Sequence, residues 1–239
     1  MIEKHLLKLR ARDVVSVEEE HVIRGLVSET RAVPAKATVI RAEQPLSHST
    51  LLLEGWMCRY KDLTNGQRQI TELHIAGDFV DLHSFTLKRL DHNIMALTPC
   101  VIGVVPHARL REVSEQHPHL TRLLWLMTNI DAAVHREWAL SLGRRSAIGR
   151  LAHIACEMRA RLEVVGLADG LTYRCPLTQL ELAECTGLTP VHVNRTLKEL
   201  RERRVVEIRQ GVVRILDLPA LEAIADFNPT YLYLHREPH

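Results

Sequence analysis

Between about Thr38 and Val105 the apolar residues fall in short runs cut by turn residues: STLLLEGWMCRYKDL, then TNGQ, then RQITELHIAGDF. Runs of this length, bounded by glycine, asparagine and proline, predict strands. Asn65-Gly66 lies between two of them, and both residue types tolerate positive φ, so a hairpin is expected there. Gly77-Asp78 and Thr98-Pro99 punctuate the strands that follow. Several short strands at this spacing predict a small β-sandwich or barrel. The stretch before it, roughly Ile2 to Arg31, reads as one or two short helices.

From about Pro106 the period changes. Leu120, Leu124, Met127, Ile130, Val134, Trp138 and Leu142 follow one another at steps of three or four, an apolar stripe along a long helix. Two coverings suit such a stripe: the β-domain of the same chain, or a second copy in a coiled-coil-like seam. A helix joining two domains needs cover on its far side, so self-association is expected, with Leu120, Leu124, Met127, Ile130, Val134 and Trp138 at the dimer interface. Gly143 is expected to break the helix. Arg144–Glu163 then reads as a second amphipathic helix, rich in arginine.

After Gly170 the chain runs LTQLELAECTGLTPVHVNRTLKELRERRVVEIRQGVVRILD. Thr178 followed by Glu181 is a capping box. Leu182 and the small Ala183 belong on the inner face of the first helix. Gly187 stands where a left-handed turn is needed. Thr189 caps a second helix, and Pro190 takes its first position, where a missing N–H costs nothing. Leu188, Val193 and Leu197 are expected to face inward. Val205–Arg209 and Val212–Leu216 around Gln210-Gly211 predict a wing. These signals define a helix-turn-helix followed by a β-hairpin.

The second helix of such a unit enters the major groove by its N-terminal half. Thr189, Pro190, Val191, His192, Asn194, Arg195 and Lys198 are therefore the candidate DNA-binding residues. Arg195 can bond guanine at O6 and N7, Asn194 can read adenine or hold a phosphate, and Val191 can touch a thymine methyl. Between Arg195 and Arg214 stand seven Lys/Arg and three acids, a local excess suited to phosphates. The whole-chain charge of +2 would not have shown it.

Composition narrows the remaining classes. Hydrophobic residues at 46% and charged ones at 25% of 239 residues exclude a disordered chain. Apolar runs are too short to cross a membrane, and the first residues carry no secretory apolar core, so a cytoplasmic protein is expected. The five cysteines are widely spaced with no CxxC, which suggests idle thiols rather than zinc or disulfides. No GxSxG, HExxH or P-loop string is present, so no enzyme is expected. The histidines His74, His83 and His92, and the pair His117 and His119, lack a metal-ligand spacing, and Pro118 between the last two marks a helix start. Cys185 reads as a core thiol of the first helix, with a redox switch as the alternative.

The sequence resembles the cyclic-AMP-receptor/fumarate-nitrate-reductase (Crp/Fnr) transcription regulators. The resemblance spans nearly the whole chain, through LLLEGWMCRYKDLTNGQRQI, AGDFVDL and LTQLELAECTGLTPVHVNRTLKELRERRVV. It implies an α+β architecture: an N-terminal cyclic-nucleotide-binding-like β-roll with leading helices (1–107), a long dimerisation helix (108–142) and a C-terminal winged helix-turn-helix DNA-binding domain (143–239). It implies a homodimer on double-stranded DNA at a pseudo-palindromic promoter site, and RNA polymerase as a partner of an activator. Where nucleotide-binding members hold the phosphate, this chain has Val80-Asp81-Leu82 and Asp91-His92. A phosphate needs cations or N–H donors, so cyclic AMP is not expected as the effector. No cysteine precedes Cys58, which speaks against the iron–sulfur cluster of other members. The family's usual recognition-helix glutamate is Val191 here, while its arginine is kept as Arg195. The cofactor, if any, is left unknown. Haem-, metal- or redox-sensing on the same fold, or a winged helix used for protein contacts, are the alternatives.

Overall fold

The computed structural model describes residues 2–236. Two helices lead: α1 (Glu3–Arg10), with Glu3 in its first turn and Lys8 and Arg10 in its last, and α2 (Val17–Gly25). The charges of α1 oppose its end dipoles. Ser16 caps α2 through a capping box with Glu19. Seven strands follow: β1 (Glu29–Val33), β2 (Thr38–Ile40), β3 (His48–Glu54), β4 (Trp56–Asp62), β5 (Arg68–Ile75), β6 (Asn93–Ala96) and β7 (Cys100–Pro106), with the short α3 (Ser84–Leu87) between β5 and β6. They form two sheets, β1-β7-β3 and β2-β6-β4-β5. Leu52 and Ile102 from the first sheet meet Ile40, Met57 and Ile94 from the second, and this is the core of the roll. Leu51 and Leu53 point the other way, onto Leu6, Leu9, Ile23 and the helices after β7. The alternation along β3 thus feeds two cores from one strand.

The hairpin at Asn65-Gly66 is present, but only Gly66 has positive φ (84°). Gly66 N–H donates to the Leu63 carbonyl, and Asn65 Oδ1 accepts from Gln67 N–H, which makes a longer loop than a two-residue turn. Gly77 is under stricter demand. Its φ is +97°, and an added Cβ would sit 2.8 Å from the backbone of Lys4 in α1. We expect Gly77→Ala to lower stability by at least about 2 kcal/mol, from strain plus displacement of α1. Thermal unfolding reads this directly, and a melting point within a degree of wild type would contradict it.

After the roll come α4 (His107–Gln116) and α5 (Pro118–Arg144). One helix was expected across this region. His117 instead leaves helical geometry at φ −126°, ψ 78°, because Pro118 bars the residue before it from the α region. Gly143 stays helical, and the break comes at Ser146, whose side chain caps α6 (Ala147–Val164). Then follow β8 (Ala168–Asp169), β9 (Thr172–Arg174), α7 (Gln179–Thr186), α8 (Pro190–Glu202), β10 (Val206–Arg209), β11 (Val212–Ile215), α9 (Leu218–Ala225) and a 3₁₀ turn at Pro229–Leu232. Strands β10-β11-β9-β8 make a four-stranded sheet. The chain divides into two compact units. The first is formed by residues up to Lys61, Leu73–Ala132 and the chain from Tyr233; the second by Asp62–Glu72 and Ala133–Leu232. Among the described residues no helix is long and apolar enough to cross a membrane.

Candidate nucleic-acid interface

In the second unit local chemistry builds the helix pair as the sequence predicts. Thr178 and Glu181 form the capping box of α7, and Gly187 ends that helix at φ 64°. Thr189 Oγ1 accepts from His192 N–H, and Pro190 opens α8. Leu182, Ala183 and Cys185 are buried in α7. In α8 the inward residues are Val193, Thr196 and Leu200, whereas Leu188 and Leu197 are half-buried. Thr196 can turn inward because its hydroxyl is satisfied by the His192 carbonyl at 2.9 Å. Cys185 has 2% of its surface exposed, which fits a core thiol.

The outer side of α8 is free. Thr189, Pro190, Asn194, Arg195 and Lys198 are exposed, His192 is half-buried, and Val191 is 80% exposed. Lys198 lies 3.7 Å from Glu202, a loose surface pair. Arg195 makes no ion pair among the described residues. Buried aliphatic residues hold α8 from behind, so these side chains project from a fixed rod. The wing forms as expected, with Gln210 and Gly211 both at positive φ (50° and 71°) between β10 and β11.

Behind this pair, α6 is anchored by a buried carboxylate. Glu157 is fully buried and accepts from Trp138 Nε1 at 3.0 Å, Tyr231 Oη at 2.8 Å and Arg161 Nη1 at 3.0 Å. Three donors make the burial of a charge tolerable. The C-terminal 3₁₀ turn, through Tyr231, is therefore part of the second unit. Sequence reasoning missed this, because nothing in the pattern marks Glu157 as buried.

The stripe expected at the dimer interface is largely covered within the single chain. Leu120, Ile130, Val134 and Trp138 are 1%, 6%, 3% and 4% exposed within the single chain. Leu124 and Met127 are half-buried against the helical core of the roll. Of the other large apolar residues of α5, Leu123 is buried, whereas Trp125 and Leu140 are 67% and 48% exposed. Another face is more open: Trp125 (67%), Ala132 and Ala139 are exposed, and Thr121, Thr128 and His135 beside them are half-buried.

In the roll, both acids that the sequence singled out, Asp81 and Asp91, are engaged by neighbouring residues. Asp81 is fully buried, accepts from Thr50 N–H, and burial pushes its carboxyl up to about 7. Asp91 accepts from Lys61 Nζ at 2.7 Å and His92 Nδ1 at 2.9 Å, which holds it well below the usual carboxylate range. The His83 and His92 rings lie 5.4 Å apart, and His74 is buried. His119 bridges Glu19 and Asp13, at 2.5 Å and 3.3 Å, and serves the packing of the leading helices. The raised Asp81 predicts a pH effect of defined sign. Its pKa is higher folded than unfolded, so between about pH 4 and 7 the folded state binds more protons and stability falls as pH rises. Asp81→Asn keeps an acceptor for Thr50 and removes the titration. Its melting temperature should decline less than wild type over that window, and parallel curves would contradict the assignment.

A β-roll of the sensory type joined to a winged helix-turn-helix defines a DNA-binding transcription regulator rather than an enzyme. Residues 30–117 match the cyclic nucleotide-binding domain, and residues 149–224 match the Crp-like helix-turn-helix domain. The chain is 30% identical over 194 residues to the nitrogen fixation regulation protein FixK of Bradyrhizobium diazoefficiens, covering 79% of this chain and 78% of that one. It is 23% identical to the transcriptional activator protein FnrA of Stutzerimonas stutzeri, over 88% and 86% of the two chains. The solved structure of FixK2 from Bradyrhizobium japonicum superposes with a TM-score of 0.76 at 22% identity, over 83% of this chain and 98% of that one. The chain belongs to the Crp/Fnr family of transcription regulators.

Proposed function

We propose that the protein binds a pseudo-palindromic promoter site as a homodimer, without cyclic AMP, and meets RNA polymerase where it activates. The observation that carries the DNA reading is the outer face of α8: a rigid helix with Arg195 unpaired and Asn194 and Val191 exposed beside it. In this reading two copies of α8 enter successive major grooves about 34 Å apart, Arg195 on guanine, while Thr189, Pro190, His192 and Lys198 lie along the backbone. Val191 favours a thymine methyl and cannot accept from cytosine, so the site differs there from that of family members with glutamate.

The dimer seam is the open face of α5. Thr121, Trp125, Thr128, Ala132, His135 and Ala139 follow at steps of 4, 3, 4, 3 and 4, the heptad spacing of two helices side by side. Small residues there allow close approach, with Trp125 as the one large anchor. Asp81, buried and bonded to Thr50, and Asp91, exposed and paired with Lys61 and His92, support binding without cyclic AMP, since neither is a cation that would hold a phosphate. Selection of bound fragments from a genomic pool tests the whole reading. A recovered inverted repeat, with the same enrichment with and without cyclic AMP, is the expected result. Fragments with no common repeat would refute it.

A further inference from the structure

The first turn of α8 presents an apolar surface to solvent. Pro190 and Val191 are both exposed, and neither has a side-chain hydrogen-bonding group. Val191 is 80% exposed, more than any other large apolar side chain described in its unit. The turn itself is fixed. Thr189 Oγ1 accepts from His192 N–H at 3.2 Å, and Val193, two residues after Val191, is fully buried. A β-branched side chain on a helix is held to one χ1 well, so the Val191 methyl groups stand at one place.

Arg195 lies one turn on, on the same outer face. Four residues of helix rise about 6 Å and base pairs stack at about 3.4 Å, so Val191 meets the groove one or two base pairs from the guanine of Arg195. Its chemistry limits what it can recognise there. Valine accepts nothing from the amino groups of cytosine or adenine and donates nothing to guanine or thymine. The apolar object on a base edge in the major groove is the C5-methyl group of thymine. A cytosine methylated at C5 carries the same group on the same ring atom, facing the same groove. Contact with valine therefore treats the two methylated pyrimidines alike and separates each from its unmethylated form. Against unmethylated cytosine, valine strips water from the amino group without replacing its bond. A glutamate at this position accepts from that amino group, which C5 methylation leaves in place, and so is indifferent to the methyl group.

We propose that Val191 senses pyrimidine C5 methylation: the protein takes 5-methylcytosine for thymine, and methylation of a cytosine in its site tightens binding. The assignment rests on the DNA-binding reading above and adds the covalent state of the DNA as an input to it. Burying one methyl group against Val191 contributes about fourfold in affinity. A symmetric dimer makes the contact twice, which gives about 15-fold for a fully methylated site.

The test uses the full-length protein and the palindrome recovered from the genomic pool. Each pair of thymines related by the dyad is replaced in turn by deoxyuridine, which removes the methyl group and nothing else. Wild type loses about 15-fold at one symmetric pair of positions, one or two base pairs from the guanine. With cytosine opposite guanine placed at that pair, methylation of the cytosine at C5 tightens binding by about 15-fold. The partner base is the same in both duplexes, so every other contact cancels. Val191→Glu, a change at an exposed position, brings the thymine-to-deoxyuridine and 5-methylcytosine-to-cytosine ratios to about one, and its binding of the cytosine duplex shows that it folds. No sensitive thymine, equal binding of the cytosine and 5-methylcytosine duplexes by wild type, or unchanged ratios in Val191→Glu overturns the proposal and leaves the DNA-binding reading standing. Failure of wild type to select any palindrome overturns both.

Discussion

Arg195→Ala is expected to reduce affinity for the cognate palindrome by about 30-fold or more while leaving binding to unrelated DNA nearly unchanged. A bidentate arginine–guanine contact contributes about 1–3 kcal/mol of discrimination, and a symmetric dimer places one such contact in each half-site. The loss is selective because the phosphate contacts, which are blind to sequence, remain. Lys198→Ala is the counterpart. Lys198 sits on the same helix but presents a point charge loosely paired with Glu202, so its removal should weaken all sequences alike and reduce the salt slope by about one unit per protomer. Titrations on the palindrome and on a scrambled duplex at two salt concentrations separate the two outcomes. If Arg195→Ala bound the palindrome as selectively as wild type, another element would be reading the bases.

Trp125→Glu is expected to convert the dimer into a monomer and to cost the palindrome most of its advantage over a half-site. A large aromatic side chain, 67% exposed on the open face of a long helix, has the marks of an interface anchor, for which truncations cost about 2 kcal/mol or more. Glutamate adds a charge that would have to be buried against its symmetry mate. Molar mass by light scattering reads the result, and an unchanged dimer would place the seam elsewhere. Trp138→Phe, on the opposite face, makes the contrast. It removes the indole donor to the buried Glu157 and should lower stability by about 1–3 kcal/mol with the dimer intact.

The helix-turn-helix was legible because its signals are local. A capping box at Thr178 and Glu181, a left-handed glycine at Gly187 and a threonine–proline start at Thr189 and Pro190 each act within four residues, and all three appear in the structure. The open side of α5, proposed above as the dimer seam, was illegible for the opposite reason. Two stripes run along α5, and the conspicuous one is rich in leucine and tryptophan because it fills a core of its own chain. The open one is mostly threonine and alanine, and periodicity analysis weighted by hydrophobicity passes over it. Gly143 misled in a similar way. Glycine weakens a helix but ends one only where the backbone has an alternative, and the capping side chain came three residues later at Ser146. Strands β8 and β9, two and three residues long, are too short to show alternation.

The most direct test of the account is a hydroxyl-radical footprint of the full-length protein on a recovered palindrome, with and without cyclic AMP. Two protected patches per strand, spaced by one helical turn about the dyad and unchanged by the nucleotide, are the predicted result. Protection confined to one half-site, or dependent on cyclic AMP, would contradict it.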